Sequence, residues 1–368
     1  MVPDVWVEVN ISALKHNLKQ VRDILPENVK LLAVVKSNGF GHGYVEPSRA
    51  FIDAGADALA VTRLDEAIQL RTAGITAPIL LFAPIQPENA EVAIEADLQM
   101  TVTSVSLVKT ISAVAVTLSK TAQIHVKVDT GMGRLGLPPS EVFDFFNAIR
   151  DLPGIEVVGI YTHYASAAEQ NLAPSQMQCQ RFISLLNTLK QSKVNYGIAH
   201  SANSAAILRM PDSHLDMVRS GTLLYGQYPS QHVPHKLDLK QTWKLKARIC
   251  EVKKLPKGSP VGYGAELITR RDSTVAIVPV GYADGFTLVP EGPVYRQSIL
   301  KFAARKARRS LTLELRGKRV PVIGRVAMQM MAIDVTDIPD AHVGDEVTIP
   351  ALRIPTSALI PRVYVDFS

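Results

Sequence analysis

The chain has 368 residues, of which 47% are hydrophobic and 20% charged, and its formal net charge is +6 at pH 7. This composition is that of a soluble globular protein with a large core, and the length fits two domains. No apolar run reaches the roughly 18 residues of a membrane span and no signal peptide opens the sequence, so we expect a cytoplasmic protein without a membrane partner.

The first two thirds of the chain alternate between short apolar runs and helical patterns. A strand pattern at residues 5–9 and a helix precede this rhythm. The predicted strands cover residues 31–36, 58–61, 79–82, 100–103, 124–128, 157–162, 196–200 and 217–219. The clearest helix patterns between them cover residues 64–73, 140–152 and 175–191. Eight strands that alternate with helices predict an α/β fold in which a parallel sheet closes into a (β/α)8 TIM-type barrel.

The pattern changes at residues 229–239, a stretch with two prolines and few apolar residues. Short alternating runs divided by glycine and proline follow at residues 242–253, 273–280, 320–326, 332–335 and 346–349. Such runs are typical of a mainly β domain. We therefore expect a barrel at residues 11–232 and a β domain at residues 233–368, which the N-terminal strand in residues 1–10 joins.

Cysteine spacing and basic residues argue against two further classes of protein. Cys179 and Cys250 lack CxxC spacing, which favours two buried thiols over a disulfide framework or a metal site. The basic stretch at residues 301–309 is a candidate nucleic-acid patch, but no aromatic residues or known binding motif accompany it. We expect a solvated loop there and no nucleic-acid partner.

Ionisable residues recur where the predicted barrel strands end. The positions are Lys36, residues 127–134, His163, residues 200–204 and residues 219–221. Catalytic groups of TIM-type barrels collect at these ends. A lysine rooted in an apolar strand is partly desolvated, which makes its amine a nucleophile or a Schiff-base partner. The alternatives are a lysine that extends to solvent and histidines that serve only as hydrogen-bonded structural residues.

Two long motifs resemble those of alanine racemases, fold-type III enzymes that depend on pyridoxal 5′-phosphate (PLP). They are AVVKSNGFGHG at residues 33–43 and HVKVDTGMGRLG at residues 125–136. The resemblance implies that Lys36 binds the cofactor and that Arg134 lies near the substrate carboxylate, a task that suits a forked guanidinium. Lys127 matches a lysine that is carbamylated in some members of the family.

Three further motifs resemble the family's cofactor-binding segments. YTHYASAAE places His163 where the family has a histidine against the pyridine ring. HSANSAA and RSGTLLYG supply the residues that match ring-neighbouring and phosphate-binding positions, namely His200, Asn203, Ser204, Arg219, Gly221 and Thr222. Backbone amides in a glycine-containing turn, as at Gly221 and Thr222, can bind phosphate.

Arg219 separates this family from most other PLP enzymes. Most place a carboxylate at the pyridine nitrogen, which keeps that nitrogen protonated. An arginine can only donate a hydrogen bond, so the nitrogen that faces it stays unprotonated and the carbanion is less stabilised. Return of the proton to Cα is then favoured over transamination. Fold-type III decarboxylases resemble one another in using an acidic partner, so Arg219 counts against them.

Racemisation needs a second acid–base group on the opposite face of the substrate. VGYGAEL resembles the segment with the family's catalytic tyrosine, which makes Tyr263 the candidate. The resemblance implies that Lys36 exchanges the α-proton of the D-isomer and Tyr263 that of the L-isomer. Because Tyr263 lies in the β domain, the resemblance also implies that it reaches the barrel of a partner subunit, so that a homodimer shares its active sites. GYADGF with Tyr282 and GRVAMQMM with Met328 match regions that substrate enters or contacts.

These matches identify the chain as a member of the alanine racemase family. The function that follows is interconversion of L- and D-alanine by two-base proton transfer on a PLP aldimine, in supply of D-alanine for peptidoglycan. Two alternatives stay open. One is a racemase of broader amino-acid specificity, because one methylene shifts selectivity by only about 1 to 3 kcal/mol. The other is a PLP-binding homeostasis protein, although such proteins lack the β domain.

Three positions depart from the family pattern. Phe40 stands where a tyrosine hydroxyl usually contacts the phosphate, and Ala358 aligns with another phosphate-binding tyrosine. Gln329 replaces an aspartate that usually follows the methionine. A lost hydrogen bond to a charged phosphate costs about 1.5 to 3 kcal/mol, so we expect weaker cofactor binding. The basic stretch at 301–309 lies in an apparent insertion.

Overall fold

A computed structural model describes residues 2–287 and 311–366. The chain divides into two compact units. The first is Ile11–Thr242, and the second combines Met1–Asn10 with Trp243–Val365. The first strand of the chain, β1 (Val5–Asn10), belongs to the second unit.

The first unit is a closed barrel of eight parallel strands. Its strands are β2 (Lys30–Val34), β3 (Ala58–Val61), β4 (Ile79–Leu81), β5 (Gln99–Val102), β6 (Ala122–Lys127), β7 (Ile155–Tyr161), β8 (Ile198–His200) and β9 (Met217–Ser220). Each overlaps one predicted strand, and β9 pairs with β2 to close the barrel. The predicted (β/α)8 fold is confirmed.

Helices surround these strands. They are α1 (Ile11–Arg22), α2 (Lys36–Gly41), α3 (Val45–Asp53), α4 (Leu64–Thr72), α5 (Ala90–Glu95), α6 (Val105–Thr117), α7 (Val142–Ile149), α8 (Ala173–Gln191) and α9 (Ser204–Arg209). The helix α1 is amphipathic and buries Leu14, Leu18 and Val21 at helical spacing. The short α2 is irregular, because its residues 37–40 all have positive φ and are therefore left-handed.

Small and branched side chains fill the end of the barrel near β2 and β3. Leu32, Val34, Ala58, Ala60, Leu80 and Met217 form one buried cluster. Phe40 packs against this cluster from α2, and Phe82 packs against it from the loop that follows β4. In TIM-type barrels with packed interiors of this kind, ligands bind above the carboxyl ends of the strands.

The second unit is mainly β, as predicted. Its nine-stranded sheet has the order β11-β14-β17-β16-β15-β18-β10-β1-β19, and β12 pairs with β13 in a separate hairpin. The bounds are β10 (Trp243–Arg248), β11 (Glu251–Leu255), β12 (Pro260–Val261), β13 (Leu267–Ile268), β14 (Ser273–Val278), β15 (Thr312–Leu315), β16 (Lys318–Ile323), β17 (Met331–Asp334), β18 (Glu346–Ile349) and β19 (Arg362–Val365). The predicted run 242–253 is two strands, because the chain leaves its pairing with β18 and begins to pair with β14.

The boundary between the units lies after Thr242 instead of after residue 232. Side-chain hydrogen bonds tie the intervening residues to the barrel unit. Asn17 donates to the Lys240 carbonyl at 2.9 Å and accepts from the Lys240 amide at 2.7 Å. The Thr242 hydroxyl lies 2.8 Å from His42 Nε2. The two prolines that suggested a linker therefore stand in an ordered segment of the barrel unit.

Three smaller predictions have different outcomes. Cys179 is buried as predicted, whereas Cys250 is exposed because it lies at the break between β10 and β11. The basic stretch 301–309 lies outside the described residues. Within residues 2–287 and 311–366, no helix is both long and apolar enough to cross a membrane.

Candidate active site

A cavity of about 530 Å³ opens at the carboxyl ends of the barrel strands. Nine of the residues predicted for the site line it: Lys36, Lys127, Arg134, His163, Asn203, Ser204, Arg219, Gly221 and Thr222. Phe82, Leu135 and Tyr161 complete much of the apolar wall. The barrel thus brings together the predicted residues of its own unit. His200 joins them through its hydrogen bond with Arg219.

Lys36 begins the left-handed turn α2. Three residues of this turn other than glycine have φ between 51° and 56°, namely Ser37, Asn38 and Phe40, and such angles cost energy in residues with a Cβ. Burial lowers the pKa of Lys36, the charge of Arg134 lowers it further, and the charge of Glu66 opposes both. The amine is therefore easier to deprotonate than a solvent-exposed lysine.

Glu66 fastens this turn to the first turn of α4. The side chain is only 3% exposed, and its two oxygens accept four hydrogen bonds. One oxygen accepts from the Ser37 amide at 2.8 Å and from the Tyr44 hydroxyl at 3.1 Å. The other accepts from the amides of Thr62 at 2.8 Å and Arg63 at 3.1 Å. A single carboxylate therefore holds the lysine turn against the neighbouring helix.

Arg219 is a buried guanidinium on the cavity floor, 3% exposed. Nη2 donates to the carbonyl oxygens of Thr162 at 2.7 Å and Ser201 at 3.0 Å, and it lies 3.3 Å from His163 Nδ1. Nη1 donates to His200 Nδ1 at 2.9 Å. Burial lowers the pKa of Arg219 to about 10, so it stays charged at neutral pH. Within the described residues, its hydrogen-bond partners are carbonyls and imidazoles.

His163 and His200 are neutral bases beside this cation. Burial lowers the pKa of each well below its ordinary value, and the charge of Arg219 lowers it further. The His200 ring stacks on the Tyr161 ring with centroids 4.7 Å apart and planes 8° apart. Both histidines therefore accept a hydrogen bond from Arg219 without adding charge.

Tyr161 lies beside two buried basic side chains. The Lys127 Nζ lies 4.9 Å from the Tyr161 ring centroid, and the Arg219 Cζ lies 5.2 Å from it. The aromatic face attracts the Arg219 cation and the protonated form of Lys127. Burial and the charge of Arg219 lower the pKa of Lys127 to about 7, while burial raises the pKa of Tyr161 to about 12. Much of Lys127 is thus a neutral amine near pH 7.

The loop with Arg134 is shaped by Asp129 and by glycines. Asp129 accepts backbone hydrogen bonds from Gly131, Met132 and Arg134 at 2.7 to 3.1 Å. A Cβ at Gly136 would lie 2.5 Å from the Asp129 amide nitrogen, so only glycine fits there. The exposed Arg134 is held at the cavity wall through its backbone amide. Its guanidinium forms no ion pair with the described residues, so the loop sets its position.

Hydroxyl and amide groups occupy the side of the cavity next to α9. The Gly221 amide donates to the Ser204 hydroxyl at 2.9 Å, so the hydroxyl hydrogen of Ser204 is free to donate elsewhere. Asn203 caps α9 by accepting from the amides of Ala205 and Ala206 at 3.1 Å. Together with Lys36 and the two arginines, these donors suit an anionic ligand.

Comparison with known proteins gives matches over both units. The family model of the alanine racemase N-terminal domain matches residues 9–229, and that of the C-terminal domain matches residues 242–358. The chain belongs to the alanine racemase family.

Relatives cover nearly the whole chain. The alanine racemase of Methanococcus maripaludis is 40% identical over 347 residues, which cover 94% of this chain and 88% of the relative. The solved alanine racemase of Clostridium difficile 630 has a TM-score of 0.91 at 31% identity and covers 100% of this chain and 97% of its own. That of Bacillus anthracis with bound L-Ala-P has a TM-score of 0.86 at 31% identity and covers 99% of this chain and 96% of its own.

The remaining residues expected from the alanine racemase motifs lie in the β unit. Tyr263, Tyr282 and Met328 are exposed in the single chain by 69%, 45% and 59%. The Tyr282 amide donates to the Ala327 carbonyl at 3.1 Å, and the next amide donates to the Met328 carbonyl at 2.9 Å. These two segments of the β unit are therefore neighbours.

Tyr263 approaches the same strip of the β unit from β12. A Cβ at Gly262 would lie 3.4 Å from the Arg325 amide nitrogen, and Arg325 forms an ion pair with Glu266. Tyr263 therefore sits beside the segment that leads to Met328.

The positions that depart from the alanine racemase motifs have identifiable surroundings. The Phe40 ring lines the cavity and packs on Tyr225, with ring centroids 4.7 Å apart. Gln329 is exposed on the β unit, and the Ala358 carbonyl accepts from Arg362 at 3.0 Å. Phe40 thus supplies packing at a place where the family motif supplies a hydroxyl.

Sequence reasoning missed Glu66, Tyr161 and His125. Tyr161 opens the motif YTHYASAAE at the end of β7, and that position alone marks it as a cavity residue. Glu66 stands three residues after the N-cap Arg63 and accepts from its backbone amide, but an arginine side chain cannot accept the reciprocal bond of a capping box, so the sequence carries no capping-box signal. Its contact with the lysine turn is a tertiary contact that no local pattern predicts.

Proposed function

We propose that this protein interconverts L- and D-alanine with pyridoxal phosphate held on Lys36, and that it supplies D-alanine for peptidoglycan. The observation that carries the proposal is one barrel cavity in which a lysine with a lowered pKa meets a buried arginine and a second, exposed arginine. Membership of the alanine racemase family supports the same reaction.

The donor set of the cavity fits this cofactor. The amine of Lys36 suits the aldehyde, and the permanent donor Arg219 suits an unprotonated pyridine nitrogen. Ser204 and Thr222 offer hydroxyl and amide donors to the phosphate. The Gly221 amide, which donates to the Ser204 hydroxyl, positions that hydroxyl, and Asn203 holds the turn before α9. When bound, the cofactor withdraws electrons from the amino acid and so acidifies its Cα–H bond.

The chain's own cations account for recognition of the substrate. Arg134 presents a forked guanidinium to the substrate carboxylate. The family motifs assign the Met328 amide and Tyr282 of the β unit to substrate binding as well. His163 and His200 stay neutral, so Arg219 remains a donor instead of passing its proton to them.

Lys127 fits the carbamylated lysine of the family motif. Carbamylation joins the neutral amine to carbon dioxide through a new N–C bond and releases a proton. A pKa of about 7 leaves enough neutral amine for this addition near pH 7. The product carries a negative charge beside Arg134 and would orient its guanidinium. Retention of carbon-13 from labelled bicarbonate by wild-type protein, and its loss in Lys127→Met, would test this role.

Proton transfer is assigned to two groups on opposite faces of the substrate. The Lys36 amine would remove or return the α-proton of the D-isomer. The Tyr263 hydroxyl does the same for the L-isomer. Because Tyr263 is 69% exposed in a single chain, we assign it to the barrel of the partner subunit in a homodimer.

Subunit mixing tests the shared site. A mixed dimer of Lys36→Ala and Tyr263→Phe subunits contains one site with both native groups, so mixing two inactive proteins should restore activity. Mixing Lys36→Ala with the double variant Lys36→Ala/Tyr263→Phe is the matched control and should stay inactive. Subunit exchange without recovery would reject a shared site.

A racemisation assay over a panel of L-amino acids, with and without added pyridoxal phosphate, tests the activity itself. We expect L-alanine to be the best substrate and Lys36→Ala to abolish the absorbance of lysine-bound cofactor. Comparable rates for larger amino acids would indicate a broad-specificity racemase. Cofactor absorbance without turnover of any amino acid would indicate a cofactor-binding protein instead. The cytoplasmic location stays a prediction.

A further inference from the structure

A chain of hydrogen-bonded side chains runs from Arg219 through the barrel to the opposite end of its strands. Beyond His200, its Nε2 lies 3.0 Å from His125 Nδ1, and His125 Nε2 lies 3.0 Å from Gln99 Oε1. Gln99 Nε2 then donates to Gln123 Oε1 at 3.2 Å, and Gln123 Nε2 donates to a carboxylate oxygen of Glu156 at 3.2 Å.

The last three residues lie far from the cavity. Gln99 is the first residue of β5, while Gln123 and Glu156 are the second residues of β6 and β7. They therefore stand at the amino ends of the strands, whereas Lys36 and the cavity stand at the carboxyl ends. The histidines between are 0% and 1% exposed, and Glu156 is exposed.

The chemistry of the two ends gives this relay one direction. Arg219 can only donate, so His200 Nδ1 accepts and its hydrogen lies on Nε2. His125 Nδ1 must then accept, and its hydrogen on Nε2 needs an acceptor, which is Gln99 Oε1. From the other end, the carboxylate of Glu156 can only accept, so the NH2 group of Gln123 faces it and the Gln123 oxygen faces Gln99. The NH2 group of Gln99 then faces Gln123, which leaves the Gln99 oxygen as the acceptor for His125.

The barrel backbone is adapted to hold His125 in this chain. The register between β6 and β7 shifts at Ile124 and His125. A Cβ at Gly159 on β7 would lie 2.4 Å from His125 Nδ1, a distance that real Cβ atoms do not reach. A glycine and a register irregularity thus make room for the imidazole ring. Burial lowers the pKa of His125 to about 3, which keeps the ring neutral and the relay intact.

We propose that Gln99, oriented by Gln123 and Glu156, is a positioning residue for Arg219. It fixes the hydrogen of His125 on Nε2 and thereby keeps His200 Nδ1 as an acceptor for the guanidinium. A residue at the amino ends of the barrel strands thus determines how firmly Arg219 is held in the cavity. This inference deepens the proposed function and rests on it for its effect on turnover.

Reversal of the relay shows why its direction matters. If position 99 presented a donor to His125 Nε2, the hydrogens of both histidines would move to Nδ1. His200 Nδ1–H would then face the N–H of Arg219, and two donors would oppose each other in a buried site. Arg219 would lose that bond and shift, although every residue that touches the cavity would be unchanged.

The experiment compares an acceptor and a donor at the same position. Gln99→Glu presents only acceptors to His125, and Gln99→Lys presents only donors. Gln176→Lys on the exposed face of α8 controls for added charge. The first readout is the ring nitrogen-15 chemical shifts of His125 and His200 in protein without cofactor. The others are the absorbance of bound pyridoxal phosphate and kcat and KM in both directions.

We expect Gln99→Glu to keep both hydrogens on Nε2 and Gln99→Lys to move them to Nδ1. The lysine variant should also lower kcat by about tenfold or more, the factor equivalent to one lost hydrogen bond to a charged group, whereas the glutamate variant should lose less. Gln176→Lys should behave as wild type.

Two results would overturn the proposal. One is an unchanged histidine pattern in Gln99→Lys, and the other is an equal loss of kcat in both variants, which indicates a merely structural role. If wild-type protein racemises no amino acid but the lysine variant moves the histidine hydrogens, the relay stands and the proposed function fails. The two failures are therefore distinguishable.

Discussion

Replacement of Glu66 by glutamine tests how the lysine turn is held. The carboxylate accepts four hydrogen bonds through two oxygens, whereas an amide offers one oxygen and places an NH2 group at the other position. Two donors therefore lose their acceptor. An unsatisfied buried donor costs about 1 to 3 kcal/mol, and water replaces part of the loss at these part-buried bonds, so we expect a destabilisation of about 2 to 4 kcal/mol.

Urea unfolding of the protein without cofactor measures this change. Glu66→Gln should lower the midpoint of the transition without changing its slope, because stability changes and the surface exposed on unfolding does not. The control is Glu46→Gln on α3, which breaks an exposed ion pair with Arg49 and should cost less than about 1 kcal/mol. Equal midpoints for Glu66→Gln and Glu46→Gln would refute the reasoning that one carboxylate fastens α2 to α4.

Three further predictions concern the barrel and the second base. Between pH 7 and 10, Lys127 binds a proton in the unfolded chain but largely not in the folded one. The unfolding free energy of the wild type, measured without carbon dioxide, should therefore rise with pH relative to that of Lys127→Met. A difference between the two proteins that stays constant with pH would contradict the pKa of about 7. Gly159→Ala should displace the His125 ring and destabilise the fold by about 1 to 3 kcal/mol in urea unfolding, whereas wild-type stability would mean that the ring moves freely. Tyr263→Phe should slow exchange of the α-proton of L-alanine far more than that of D-alanine, and equal losses would reject the assignment of faces.

The barrel was predictable because its signal is local. Each buried parallel strand is a short run rich in apolar residues, and ionisable residues at the ends of several strands mark the cavity, as Lys36, Lys127 and Arg219 do. The prediction was less accurate where a strand changes its pairing partner. The predicted run at residues 242–253 is two strands, because β10 pairs with β18 and β11 pairs with β14. The compact units divide later in the chain than the predicted boundary, because long-range bonds from Asn17 hold the proline-containing segment to the barrel unit.

Other features of the site depend on tertiary contacts that sequence patterns do not contain. A run of left-handed residues that includes Phe40 is not predicted by residue preferences, because only glycine favours positive φ. Such a turn persists when contacts with the surrounding structure stabilise it, and here Glu66 stabilises it by accepting a hydrogen bond from the Ser37 amide. The relay behind Arg219 likewise joins residues from five strands, and its direction follows only once their contacts are known.

The pKa shifts in the cavity have a common origin. Lys36, Lys127 and His163 all have a lowered pKa, first through burial and then through the charge of one or both cavity arginines. The acceptors that hold Arg219 are carbonyls and neutral imidazoles, which carry no negative charge to offset its positive charge. A carboxylate in the place of His200 would stabilise Arg219 more, but it would cancel the positive potential on which an anionic ligand depends. Neutral acceptors hold the cation in position and leave its charge to the ligand, and this is why the direction of the hydrogen bonds behind it matters.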